Sequence, residues 1–160
     1  MNKKQSFVPL WFHWARFTSF LTERFLGGPK ILKLAWVINF QKTGTFFYIL
    51  LLMNYYENFS VAANVYLALH GMYGFCWILK HFAFPDKAWE KKVTIGGGLM
   101  AFLLVLALYW VFPFLLISGV LGPDQKIASV SLLSAAISIH TLGVVIMMVA
   151  DCQKYYTLKY

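Results

Sequence analysis

Four apolar runs dominate the chain, at about 40–56, 60–84, 95–118 and 127–149, and together they carry more apolar surface than a soluble domain of 160 residues can bury. The last three are each long enough for the roughly 20 residues a helix needs to cross a bilayer. The connections between runs alternate in charge. Lys3, Lys4, Arg16, Arg24, Lys30, Lys33 and Lys42 precede or open the first run; Lys80, Lys87, Lys91 and Lys92 mark the second connection; Lys154 and Lys159 follow the fourth run. The connection at Glu57 has no basic residue, and the one at Asp124 has only Lys126. Threaded back and forth, the runs therefore place all but one of the 14 Lys and Arg residues on one side. The positive-inside rule makes that side, with both termini, cytoplasmic, or the matrix side of a mitochondrial inner membrane; an endoplasmic reticulum membrane fits equally. This predicts an all-α integral membrane protein with an N-terminal interfacial region over 1–38 and a four-helix transmembrane domain over 39–160.

Composition points the same way, with 60% hydrophobic residues and only 12% charged. A net charge of +8 would suggest nucleic acid for a soluble protein, but basic residues that flank spans hold topology and meet anionic headgroups instead. Membrane lipids and other membrane subunits are the predicted partners; nucleic acid is not. Cys76 and Cys152 have neither metal nor disulfide spacing. The N-terminus lacks the small-residue cleavage site of a signal peptide. Pro9 suits a first helical position, and Leu10, Trp14, Phe17 and Leu21 then recur at helical spacing until Gly27-Gly28-Pro29 turns the chain. Such an amphipathic helix lies in the headgroup region or against a partner protein.

The first run is the weakest span, because its uninterrupted part, 43–56, is short and Lys42 must snorkel to an interface. The charge bias nevertheless requires it to cross. In the second run Ser60 is a helix cap, Asn64, Ala68 and Gly71 share one face, and His70, Gly74, Trp77 and His81 share another. Gly96-Gly97-Gly98 opens the third run as a packing or flexibility device, and Pro113 predicts a kink with 114–119 as a separate segment. The fourth run carries Ser131, Ser134, Ser138 and Thr141 on one stripe and His140, Gly143, Met147 and Asp151 on another. Asn64, Ala68, Gly71, Gly74, Ser134, Ser138 and Thr141 are accordingly the predicted helix-packing positions. His70 and His140 fall within about 4–5 Å of the same depth. They are either hydrogen-bonded core histidines or weak candidates for the two axial ligands of a b-type haem.

No phosphate-binding Gly motif, no Ser/His/Asp or Cys/His constellation and no paired intramembrane carboxylates are present. The stretches NFQKTGT at 39–45, LHGMYGFCWILKHFAFPDKAWE at 69–90 and DCQKYYTLKY at 151–160 resemble a family of polytopic membrane proteins related to steroid 5α-reductases and, more distantly, to isoprenylcysteine methyltransferases. The resemblance implies a lipid-sized cavity walled by these spans, and an NADPH site built by a basic Asn-Pro-Tyr motif and further helices beyond the equivalent of Tyr160. No Asn-Pro pair occurs in this chain, so no catalytic or cofactor-binding residue carries over. Two functions follow as expectations. One is a non-catalytic accessory subunit of a larger membrane complex, such as an organellar respiratory complex. The other is the membrane-embedded N-terminal part of an NADPH-dependent lipid reductase whose cofactor-binding half is absent from these residues.

Overall fold

The computed structural model describes residues 10–120 and 129–159. Helix α1 covers Leu10–Arg24, α2 Leu34–Tyr55, α3 Val61–Ala83, α4 Ile95–Ser118 and α5 Val130–Lys159. A minimal antiparallel pair, β1 Leu32–Lys33 and β2 Lys92–Val93, ties the entry of α2 to the entry of α4. Among the described residues, α3, α4 and α5 are long and apolar enough to cross a membrane. The chain is therefore an all-α protein compatible with integral membrane insertion. The predicted start of the fourth run, 127–128, lies outside the described residues.

Helix α2 departs most from expectation, since it begins at Leu34 and runs for 22 residues. Leu34 and Ile38 pack with Val93 and Ala101, which gives the first turns a core of their own. Asn39, Gln41 and Lys42 lower the apolarity of α2, yet Asn39 and Gln41 are among the most buried residues of the molecule. Polarity here marks the inside of a bundle. Helices α3 and α4 pack on α2, and a second core of Ile49, Leu52, Met53, Ala63 and Ile117 closes its far end. Large apolar side chains such as Phe47, Leu51, Leu103, Leu104 and Ile139 face outward, as a lipid solvent requires.

The helix ends sort into two levels. At one, Lys33 pairs with Glu90, Lys91 with Glu23, Lys80 with Asp151 and Lys154 with Asp86. At the other, Asn58 Nδ2 donates to the Ile117 carbonyl at 2.9 Å, and the Ser60 hydroxyl caps α3 by accepting from the Ala63 amide. Helices α2 and α4 thus run away from the charged level, and α3 and α5 return to it.

Gly96-Gly97-Gly98 is a packing device. A Cβ on Gly96 would lie 2.5 Å from the Phe25 carbonyl oxygen, and one on Gly97 would lie 2.8 Å from that of Thr22. The last turn of α1 rests on this bare surface, fixed by Thr94 donating to the carbonyls of Glu23 and Phe25. Gly97→Val is expected to unseat α1 at a cost of about 1–3 kcal/mol. A nitroxide at position 20 would report the release as increased mobility.

The same seat is expected to depend on pH. The hydrogen bond from Lys91 holds the Glu23 carboxyl below the usual range; burial opposes this, and Ser19 adds to the lowering. A depressed pKa contributes stability that is present above the ordinary glutamate value and lost as pH falls through the folded one. Acidification below about pH 4 should therefore loosen α1, and Glu23→Gln should abolish that pH dependence.

Helix α4 does not break at Pro113. It passes from α into a π segment over Phe102–Leu106, a 3₁₀ turn over Ala107–Trp110 and α again over Val111–Ser118, ending at Gly119 with φ of 72°. The expected separate segment at 114–119 is thus continuous with the rest. Proline at 113 excludes the carbonyl of Tyr109 from normal pairing, and the helix absorbs this by changing its winding upstream.

Candidate functional site

Helices α3 and α4 both depart from α winding, and the departures face each other. The π turn Leu67–Gly71 holds His70, while the 3₁₀ turn of α4 holds Tyr109. His70 Nδ1 and the Tyr109 hydroxyl are hydrogen-bonded. Tyr66 stacks on His70 with ring centroids 4.1 Å apart, and His140 of α5 meets the imidazole edge-on at 5.1 Å. Local rewinding of this kind concentrates at functional positions, because it turns a side chain to a face that regular spacing would not give it.

Helix α2 supplies the charge. Lys42 Nζ lies 4.6 Å from the centroid of Tyr109, 5.1 Å from Tyr73 and 5.5 Å from Trp77. Three electron-rich rings thus take the place of a carboxylate around the ammonium. This replaces the expected snorkelling, because the Lys42 side chain lies among the rings of α3 and α4. One turn on, Trp110 Nε1 donates to Thr45 Oγ1 at 2.9 Å, which itself donates to the Gln41 carbonyl. Asn39 Nδ2 and Oδ1, Gln41 Oε1 and Thr43 Oγ1 are buried with no hydrogen-bond partner among the described residues. Toward the charged level Lys80, 4% exposed, pairs with Asp151 at 2.8 Å and lies over Trp77 at 3.9 Å.

The result is a polar seam through an otherwise apolar bundle. Its chemistry is that of a hydrogen-bonded phenol and imidazole, Tyr109 and His70, beside the amine of Lys42. Such a couple can donate a proton or orient a polar group of an apolar ligand. Among the described residues no group of three His, Cys, Asp or Glu side chains is placed to hold a metal ion.

Of the residues singled out from sequence, His70 and His140 do come together. As placed, their rings touch each other directly, and His70 Nδ1 is engaged by Tyr109; a haem macrocycle between them would require the pair to part. Gly71 and Gly74 are buried against α2, with the Gly74 backbone directly over the Lys42 carbonyl. Asn64 and Ala68 are exposed, and Asn64 Nδ2 serves the carbonyls of Phe59 and Ser60 at its own helix end. Ser134, Ser138 and Thr141 are exposed along α5. Tyr66, Tyr109 and Lys42 were not singled out as site residues. The signals for the last two were a lysine within an apolar run and a tyrosine four residues before a proline.

No protein-family model matches the chain, and no curated protein or solved structure matches it.

Proposed function

We propose that the chain is a four-span membrane protein that serves as an accessory subunit of a larger membrane assembly. Both termini are read on the cytoplasmic or matrix side, with α1 in the interface. The observation that carries the subunit reading is α5: it has no buried residue, and its Ser131, Ser134, Ser138 and Thr141 stripe points away from the described helices. Hydroxyl-bearing small residues favour a protein neighbour over lipid tails. Reading α2 as the fourth span draws support from its length and from the burial of its polar residues.

Solubilisation in a mild detergent tests this reading. Cysteine at Ser134 or Ser138 should cross-link to another polypeptide, and Ser138→Leu should reduce co-purification. A chain that runs alone at 18.4 kDa plus detergent, with neither variant changing its behaviour, overturns the subunit reading.

A second reading, the N-terminal membrane half of a lipid reductase with NADPH held by a catalytic part outside these residues, draws support from the Tyr109 and His70 couple beside Lys42. In that case Tyr109→Phe should abolish turnover by the complete assembly while NADPH binding persists. Activity retained in Tyr109→Phe removes this reading.

A further inference from the structure

We infer that a single ordered water molecule, held by Asn39, is bound where α2, α3 and the α3–α4 connection meet. Ala35, Ile38 and Asn39 share one face of α2 at helical spacing, and Trp77, Lys80 and His81 share one face of α3 in the same way. These two stripes border a cavity, which Asp86 and Trp89 of the connection complete. The connection is fixed against α2 at this point, because the Ala35 amide donates to the Trp89 carbonyl at 2.8 Å and the Leu34 amide to that of Lys91 at 3.1 Å. The cavity measures about 10 Å³, the room that one water takes.

The lining asks for a ligand that both donates and accepts. Asn39 is 3% exposed, and neither its Nδ2 nor its Oδ1 has a hydrogen-bond partner among the described residues. A buried amide so placed has given up its hydration, and a bound water restores it. Lys80, 4% exposed, carries three donors; Asp151 takes one at 2.8 Å, and the Trp77 ring faces the ammonium at 3.9 Å. Asp86 accepts from the Ala88 amide through Oδ1 and from Lys154 through Oδ2, and each carboxylate oxygen has a second lone pair. Charge selects against ions: the Lys80 ammonium disfavours a cation in this cavity, and the Asp86 carboxylate disfavours an anion. Water meets both. The inference is independent of the subunit and reductase readings.

A crystal structure of the full chain, grown from a lipid phase containing rubidium bromide, tests it. One solvent peak within hydrogen-bond distance of Asn39 Nδ2 or Oδ1 is expected, without anomalous signal from rubidium or bromide. No peak there would overturn the proposal, and an anomalous peak would assign the site to an ion instead. The peak should be lost in Asn39→Leu; its persistence would show that Asn39 does not hold the water. In solution Asn39→Val should melt about 2–4 °C lower, the loss of roughly one hydrogen bond in a chain of this size. Melting that is unchanged or higher would overturn the proposal, because removing an amide that binds nothing relieves an unpaired buried group. The unaltered chain decides the matter even if neither variant folds.

Discussion

Gly74→Leu should separate α3 from α2 and cost about 3 kcal/mol or more, the upper range for overpacking a close contact. A Cβ at this position falls on the backbone carbonyl of Lys42, which cannot rotate aside. The two neighbouring cases set the scale. At Gly71 the added atom would lie 2.6 Å from Phe46 Cδ2, a ring that can turn, so Gly71→Ala should be milder. At Gly143 nothing lies within 4 Å, and Gly143→Ala should leave stability unchanged. Thermal unfolding of the three variants in one detergent measures the order. Equal melting of Gly74→Leu and Gly143→Ala would show that the α2 and α3 backbones are not in contact.

Lys80→Met should produce the second large effect. Lys80 is buried and Asp151 is 24% exposed, so removal of the ammonium strands a carboxylate in a poorly solvated place. Breaking such a pair from one side costs about 3 kcal/mol, whereas replacing both partners by apolar residues is close to neutral. The double variant Lys80→Met with Asp151→Leu should therefore recover most of the loss. Docking of α5, followed by a cysteine cross-link between α3 and α5, should fail in the single variant and return in the double one. If the single and double variants behave alike, the charge pair does not hold α5.

The helices were legible in the sequence because long apolar runs leave little choice of conformation. The start of α2 was not. Asn39, Gln41 and Lys42 read as the polar edge of a span, yet they form the inward face of the central helix. Burial is a tertiary property that a hydropathy pattern cannot separate from exposure. The faces of α3 were obscured for a geometric reason. His70 and Gly74 share a face at regular spacing, but the π turn Leu67–Gly71 places an extra residue in the turn. His70 therefore looks toward α4 and α5 while Gly74 sits on α2. The same shift leaves Asn64 and Ala68 exposed while Gly71 is buried. Tyr109 became part of the seam through the non-α winding that precedes Pro113, which spacing alone does not reveal.

The absence of any buried residue in α5 has a consequence for the order in which the protein is made. Both apolar cores are composed of residues from 34 to 117, so they are complete before α5 leaves the ribosome. That helix arrives at a finished surface and is recognised there by Lys80 and Asp86, through Asp151 and Lys154 close to its final turns. Its docking is thus expected to be a late, charge-guided step in biogenesis, separable in time from the folding of the helices that precede it.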